Sequence, residues 1–403
     1  MKLKNWQISI TLLTSIFYFL YYFARYNYSV TIPFIKEEFS LSNTMVGLIA
    51  TVLTAGYAIG QFINGFLIDR YGPRIMMTLG AFLSTIANFG MSISQCFSHL
   101  LFSWFGNGYV QAMGYGSCCK LYANWFEPNN RGKPLGFNEF LQSFASTVIV
   151  PIGAFIIIAL GWRYVFVIPV LPLSIAAIIF YILIRNHPYE KGFKVSWINE
   201  KPTKKVSFLD NAKTAYKIAL SDWRMLCTYA SYGGSQYSRF AIYTWVPAYI
   251  FSLTGNIVKG AWVTAAFALG GSIGSLIVGY LSDVMGKRYP LIVFGMTMSA
   301  LSLFVFAINP HAPITILSTL MAICGAGIEA VEVSYFLLPI DILDKAEQQA
   351  TGVGCMNAWG KTFATFQGAL FGLMLDLSGY RFAFIITGLI ALVSAFLVIP
   401  IRK

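Results

Sequence analysis

Long apolar stretches separated by short polar connections recur along the whole chain. A helix needs about 20 apolar residues to cross the hydrocarbon core of a bilayer, which is about 30 Å thick. The pattern therefore predicts an all-α membrane protein with twelve transmembrane helices. The predicted spans are residues 8–34, 44–69, 74–96, 98–122, 134–160, 163–185, 224–252, 257–282, 288–308, 313–342, 351–376 and 381–401.

One polar connector, residues 186–222, is much longer than the others and is rich in lysine. It separates six predicted spans from six, so we expect an N-terminal six-helix bundle at 1–185, a cytoplasmic linker at 186–222 and a C-terminal six-helix bundle at 223–403. The part from Ser207 to Ser221 has apolar residues at helical spacing and could lie along the membrane surface. A plain tether between the bundles is the favoured alternative.

The two halves of the chain repeat each other without a gap when residues 25–74 are shifted by 214. The matched positions include Arg25 with Arg239, Pro33 with Pro247, Gly56 with Gly270, Asp69 with Asp283 and Arg74 with Arg288. A weaker match at an offset of 219 pairs Gly106 and Gly108 with Gly325 and Gly327. Parallel repeats of membrane helices, with a binding site at their interface, are typical of alternating-access transporters. The sequence therefore predicts two pseudo-symmetric bundles.

The composition excludes a soluble protein, because 57% of the residues are hydrophobic and 11% are charged, against about 25% charged in soluble domains. The net charge of +12 could indicate nucleic acid, but most of the 28 lysines and arginines fall on one side of the predicted spans. The positive-inside rule then places both termini and the linker in the cytoplasm. We expect a multi-pass protein of the plasma (cell inner) membrane that binds no nucleic acid.

Two arginines fall deep inside predicted spans, Arg25 in span 1 and Arg239 in span 7. A charge at the centre of a bilayer costs roughly 3 kcal/mol even on the gentlest scale, so each needs a role. Pseudo-symmetry predicts that the two face each other across a central cavity. A guanidinium stays charged and offers a planar fork of donors that suits phosphate or carboxylate oxygens. We therefore predict that both bind an anionic substrate; in the alternative, each is neutralised by an acid inside the membrane and only holds helices together.

Three acidic residues inside the spans are predicted to compensate charge or couple transport to protons: Glu139, Glu329 and Glu332. Glu329 and Glu332 are three residues apart and so share one helix face. Lys361 in span 11 either pairs with one of these glutamates or completes the anion site, and both alternatives stay open. Further polar candidates for contact with the substrate are Tyr26, Tyr237, Asn138 and Gln142.

A motif between spans 2 and 3, residues 65–74, has an echo at 279–288 between spans 8 and 9. We expect Gly65 to let two helices approach closely, Asp69 to accept hydrogen bonds at the cytoplasmic boundary, and Arg74 to be a movable cationic partner. Such a cluster can latch helix ends in one state and release them in another. The predicted gating residues are Asp69, Arg70, Arg74, Asp283, Lys287 and Arg288. The doubled motif resembles the signature loop of the major facilitator superfamily, and the resemblance implies that fold for the whole chain.

The segments around the two arginines resemble a narrower family, the organophosphate:phosphate antiporters, which includes the glycerol-3-phosphate and hexose-phosphate transporters. The similar segments are Arg25-Tyr-Asn-Tyr28, Arg239 to Pro247, and Gln111 through Lys120 and Trp125 to Gly132. The resemblance implies that one arginine from each half grips the phosphate and that inorganic phosphate is the counter-substrate.

The chain also departs from this family at several positions. Tyr26 and Gln61 stand where the glycerol-phosphate transporter has lysines, and its span-5 histidine falls near Leu141. Lys361 is similar to the span-11 lysine of the oxalate:formate antiporters. The resemblance thus supports an organic anion more firmly than a phosphate ester.

The sequence leads to a hypothesis of a secondary active transporter that exchanges small organic anions by alternating access. A phosphorylated metabolite, exchanged for inorganic phosphate, is the first substrate class; proton-coupled carboxylate uptake and a transporter-like ligand sensor are the alternatives. An enzyme is not expected, since no nucleophile–base pair or metal cluster is visible. We expect a monomer in a lipid bilayer, with a small anionic solute as its partner and with no cofactor or metal.

Overall fold

The computed structural model describes residues 2–127, 130–195, 197, 221–285, 287–343 and 346–401. Every regular element within these ranges is helical. The α-helices are α1 Leu3–Tyr26, α2 Tyr28–Glu38, α3 Asn43–Tyr71, α4 Pro73–Ser92, α5 Phe97–Trp125, α6 Gly132–Leu160, α7 Val170–Leu183, α8 Trp223–Thr254, α9 Ile257–Met285, α10 Tyr289–Ile308, α11 Ile314–Ile328, α12 Glu332–Ile342 and α13 Ala346–Leu397. Most of the predicted linker, including residues 207–220, lies outside the described residues.

The helices confirm the twelve predicted spans. Span 1 consists of α1 and α2, span 10 consists of α11 and α12, and α13 contains two spans joined at Gly379, where the backbone has φ +76°. Nine segments of the described residues are long and apolar enough to cross a membrane, and the last of them, Gly352–Ile401, covers both spans of α13. Helices α5 and α8 fall outside that set because they carry more polar residues.

Helix α8 is polar in sequence yet enclosed within the fold. Every residue from Ser231 to Ile250 is buried, on all faces of the helix. A helix that is surrounded by protein can carry polar side chains that lipid would not tolerate, provided that neighbouring helices supply partners. Arg239 lies in the middle of this buried stretch.

A break at Asn27, two residues after Arg25, separates α1 from α2. Side chains from α4 and α5 hold this break in place. The Ala24 carbonyl accepts hydrogen bonds from Asn107 at 2.8 Å and from Asn88 at 3.1 Å, and Asn27 itself donates to Asn88 at 2.8 Å. These buried amides fix the backbone that carries Arg25, because leaving any one of them unpaired in an apolar environment is costly.

Tight helix packing repeats in the two halves, as the sequence repeat predicts. A Cβ added at Gly56 of α3 would fall on the Phe105 carbonyl of α5, and one at Gly270 of α9 would fall on the Ala322 carbonyl of α11. Only residues without a side chain permit this approach.

The register predicted for spans 4 and 10 is wrong by two residues. Gly108 packs on the Leu53 carbonyl and Gly325 packs on the Phe267 carbonyl, and Leu53 and Phe267 are 214 residues apart. Gly108 therefore matches Gly325, and the offset here is 217 rather than 219. Both spans contain two glycines separated by one residue, so the sequence alone allows two alignments. The predicted alignment paired Gly106, rather than Gly108, with Gly325.

The expected packing role of the motif glycine Gly65 is also wrong. A Cβ at Gly65 would meet nothing within 4 Å, and the same holds for its repeat partner Gly279. These positions therefore lie on open helix faces among the described residues.

The contacts divide the chain into two compact units, residues 1–40 with 52–202, and residues 41–51 with 203–403. The first turns of α3 belong to the second unit because they bind Asp376 of α13. Asp376 accepts from the backbone N–H and the side chain of Asn43, at 3.1 and 2.8 Å. It also accepts from the backbone N–H and the side chain of Thr44, at 2.9 and 2.6 Å. The predicted bundles and linker at 1–185, 186–222 and 223–403 stay a prediction. Hereafter the two compact units are called the N-terminal and the C-terminal unit.

Candidate functional site

In the C-terminal unit, Arg239 is held by two glutamates. Its Nε donates to Glu329 Oε1 at 3.0 Å, and its Nη1 donates to Glu332 Oε2 at 2.6 Å. The side chains of Arg239 and Glu329 are 4% and 1% exposed, whereas that of Glu332 is 20% exposed. An arginine can be buried this deeply because two carboxylates satisfy its charge and its donors. The observed pairing corresponds to the alternative in which an acid neutralises the arginine.

The two glutamates lie on one side of span 10 because a tight turn joins α11 to α12. The Glu332 N–H donates to the Glu329 carbonyl at 3.2 Å, three residues back, rather than four as in an α-helix. Glu332 is the first residue of α12. The predicted shared face of Glu329 and Glu332 is therefore what the structure has.

Glu332 receives further donors from the same buried helix as Arg239. Its Oε1 accepts from Tyr232 OH and from Gln236 Nε2, each at 3.0 Å. Lys361 of α13 lies within electrostatic range of this carboxylate, and its Nζ stands 5.4 Å from the ring centroid of Phe240. Lys361 therefore belongs to the same charged cluster as Arg239.

Glu329 occupies a more enclosed pocket. Tyr243 OH donates to its Oε1 at 2.6 Å, and a Cβ added at Gly271 of α9 would fall on its Oε2. This Oε2 is buried and has no hydrogen-bond partner among the described residues. The pocket thus fits the carboxylate closely and leaves it little freedom to move.

In the N-terminal unit, Arg25 lies among tyrosines. Its Cζ is 4.6 Å from the ring centroid of Tyr57 and 5.6 Å from that of Tyr22. The Tyr26 ring packs at a tilt against that of Tyr22, with centroids 5.2 Å apart, and Arg25 is 5% exposed. Aromatic faces stabilise a desolvated guanidinium by about 2 kcal/mol, and they leave its charge intact.

The other predicted contacts of the N-terminal unit divide into two groups on α6. Glu139 interacts with Tyr115 of α5. Asn138 is fully buried and accepts from Tyr122 OH at 3.4 Å, and Tyr122 also hydrogen-bonds Ser15 at 2.9 Å. Asn138 therefore joins a packing contact between helices, several turns along α1 from Arg25. Gln142, one turn after Asn138, is buried as well. In the C-terminal unit, the predicted contact Tyr237 is also buried, on α8.

Among the predicted gating residues, Asp69 accepts from a basic side chain at the end of its helix, as expected, but this side chain is not Arg74. Asp69 pairs with Lys120 of α5 at 2.7 Å, and both side chains are well exposed. Arg74 donates to the Tyr181 carbonyl at 2.6 Å and stacks on the Tyr181 ring, so it contacts α7 rather than Asp69. Arg70 lies over the ring of Tyr71.

The echo of this motif in the C-terminal unit pairs through Arg288. Its Nη1 donates to Ser282 Oγ at 2.7 Å, and its Nε lies 3.6 Å from Asp341. Lys287 lines a cavity of about 180 Å³ together with Arg288 and Asp341. The side chain of Asp283 lies outside the described residues.

Five residues that complete the two arginine sites are not among the predicted substrate contacts: Tyr22, Tyr57, Tyr232, Gln236 and Tyr243. Tyr22 and Tyr243 are noted in the sequence only as aromatic residues near the two arginines. Spacing along the helices could have found most of them, because residues three or four apart share a helix face. Tyr22 precedes Arg25 by three, and Gln236 and Tyr243 flank Arg239 at three and four. Tyr57 comes from another helix and gives no such signal.

The sequence profile of the Major Facilitator Superfamily matches residues 14–258 and 253–403. The phosphoglycerate transporter protein of Salmonella typhimurium is 26% identical over 92% of this chain and 84% of its own length. The probable hexose phosphate transport protein of Chlamydia pneumoniae is 24% identical, with 99% and 92% covered, and the hexuronate transporter of Bacillus subtilis is 24% identical, with 94% and 90% covered. These matches confirm the predicted resemblance to phosphate-ester carriers, at low identity.

Solved structures agree in fold. A bacterial homologue of the human lysosomal transporter Spinster, in an inward-facing and unoccupied conformation, superposes with a TM-score of 0.83 at 15% identity, covering 98% of this chain and 96% of that one. A D-xylose-proton symporter gives a TM-score of 0.77 at 17% identity, with 97% of each chain covered. At these identities the likeness shows the fold alone, and it confirms the predicted arrangement of twelve spans in two six-helix bundles.

Proposed function

Because the chain belongs to the Major Facilitator Superfamily, and is therefore a multi-pass transporter rather than an enzyme, we propose that it exchanges small phosphorylated metabolites for inorganic phosphate by alternating access. The observation that carries this proposal is a buried arginine at the matched position of each unit, Arg25 and Arg239. Their guanidinium groups supply the charge and the planar donors that a phosphate ester requires. The carriers named for phosphoglycerate, hexose phosphate and glycerol-3-phosphate among the relatives support the same substrate class.

Arg25 lies in a different environment from Arg239. Its guanidinium lies over the faces of Tyr22 and Tyr57, and such aromatic faces stabilise a buried cation. An anion that reached Arg25 would gain a charge-assisted hydrogen bond in a place where water competes weakly.

Arg239 favours a second candidate, proton-coupled uptake of an organic anion such as a sugar acid. Its ion pairs with Glu329 and Glu332 mean that an anion can bind Arg239 only if a carboxylate yields. A carboxylate that yields inside a membrane is most stable when it takes up a proton. Relatives named for hexuronate and L-galactonate support this substrate class.

A counterflow experiment in proteoliposomes separates the two functions. For vesicles loaded with inorganic phosphate we expect rapid uptake of labelled glycerol 3-phosphate without any pH gradient, since exchange needs only a counter-anion. Uptake that ignores internal phosphate and follows an imposed inward proton gradient would support the symporter instead. Binding without flux under both conditions would favour a sensor.

We place the carrier in the plasma membrane as a monomer with cytoplasmic termini.

A further inference from the structure

We propose that Glu332 is an internal ligand of the anion-binding groups of the C-terminal unit, which a transported anion must displace. This inference rests on the proposed function, since it concerns how the Arg239 site is regulated. The Glu332 carboxylate accepts from Arg239 Nη1 at 2.6 Å and from Tyr232 OH and Gln236 Nε2 at 3.0 Å each. Three convergent donors around one carboxylate are what a site for a foreign carboxylate or phosphate needs.

All three donors come from one rigid element. Tyr232, Gln236 and Arg239 follow each other at intervals of four and three residues on α8, so they share a helix face. The helix is buried all round at these positions, which keeps the donors in place when the carboxylate leaves. Glu332 is attached to a different element, the start of α12.

The two glutamates of the cluster are not equivalent. Glu329 is 1% exposed and is enclosed by Arg239, Tyr243 and Gly271, so its carboxylate cannot leave without repacking against α8 and α9. Glu332 is 20% exposed and follows the tight turn that separates α11 from α12. We therefore assign Glu329 as the fixed partner that orients Arg239, and Glu332 as the group that moves away.

The charges of the cluster link this displacement to a proton. The groups that face Glu332 are Arg239 and Tyr232 with the neutral Gln236 from α8, Lys361 from α13, and Glu329 from its own span. Two cations and two carboxylates are neutral together, and an added anion would leave net negative charge in a medium of low dielectric constant. Proton uptake by the displaced Glu332 carboxylate restores neutrality for a monoanionic group. One proton is therefore bound with each anion at this site, and it leaves when the anion leaves.

Anion binding to the purified full-length protein tests this assignment. The probes are glycerol 3-phosphate, inorganic phosphate and methanesulfonate, the last because it carries a single negative charge throughout the pH range used. For the wild type, affinity for methanesulfonate should fall by about tenfold per pH unit between about pH 6 and about pH 8, as expected when one proton is taken up. Glu332→Gln should bind about tenfold more tightly at the upper end of this range and should lose the pH dependence. Glu38→Gln is the control, because this carboxylate pairs with Arg163 outside the cluster, and it should keep the wild-type affinity and pH dependence.

The outcomes separate this inference from the proposed function. If the wild type binds these anions, and Glu332→Gln has the same affinity and the same pH dependence, then the internal-ligand assignment is wrong while anion transport stands. If neither protein binds any of the probes, the proposed function fails as well. Should Glu332→Gln not fold, Glu332→Asp keeps the charge but shortens the side chain by one methylene. It should bind the probes more tightly than the wild type and retain the pH dependence, and unchanged binding would overturn the inference.

Discussion

The buried ion pair between Arg239 and Glu329 should be strongly coupled in the stability of the protein. A double-mutant cycle with Arg239→Gln, Glu329→Gln and the double variant isolates the interaction. Both side chains are almost inaccessible, at 4% and 1% exposed, and removing one partner of a buried pair leaves an uncompensated charge at a cost of about 3–5 kcal/mol. Because Arg239 keeps Glu332, we expect the lower end of that range for Glu329→Gln, and a coupling free energy of about 2–3 kcal/mol.

The assay is reversible unfolding of the four proteins in mixed micelles with increasing sodium dodecyl sulfate, followed by far-UV circular dichroism. The exposed pair Lys120–Asp69 is a matched control within the same chain: its N–O distance is 2.7 Å, but its side chains are 41% and 66% exposed. Solvent screening limits such a pair to at most about 1 kcal/mol. The interpretation is refuted if the unfolding free-energy changes of the Arg239 and Glu329 variants add to within about 0.5 kcal/mol. It is also refuted if their coupling free energy is no larger than that of the control pair.

Two further changes test the packing around the charged groups. Gly271→Ala should lower the thermal unfolding midpoint by several degrees, because a Cβ there meets the Glu329 carboxylate. Gly279→Ala on the same helix is the control and should leave the midpoint unchanged, because its Cβ meets nothing within 4 Å. Equal midpoints in the two variants would show that the pocket relaxes freely. Asp376→Ala removes the acceptor for the N–H and side-chain donors of Asn43 and Thr44. It should lower the free energy of unfolding by about 1 kcal/mol, as for a lost helix cap, and Asp376→Asn should have an intermediate midpoint in the same melting assay. An unaltered midpoint in Asp376→Ala would contradict this.

The sequence predicts the membrane helices well because the bilayer imposes a length and a composition on each of them. It also locates both arginines, since a charge in an apolar run stands out and its repeat 214 residues later marks it twice. Helix breaks are harder to predict. Asn27 ends α1 because amides from α4 and α5 hold the Ala24 carbonyl, and those partners come from distant parts of the chain.

Partners across helices account for most of the remaining differences. The three-residue spacing of Glu329 and Glu332 predicts a shared face but does not say which cation that face meets. The pairing of Asp69 with Lys120 rather than Arg74 depends on the register of α3 against α5. Single-sequence patterns describe one helix at a time, whereas a register between helices depends on the packing of small residues in both.

Equilibrium binding of glycerol 3-phosphate to the variants Arg25→Lys and Arg239→Lys, measured by isothermal titration calorimetry, tests the central claim most directly. Each substitution keeps the charge but removes the planar fork of donors, so we expect affinity to fall by at least about tenfold in both, as for a lost charge-assisted hydrogen bond. Arg185→Lys, two residues after the end of α7 where the arginine donates to backbone carbonyls, should bind like the wild type. Wild-type affinity in both Arg25→Lys and Arg239→Lys would contradict the assignment of the two arginines as anion ligands.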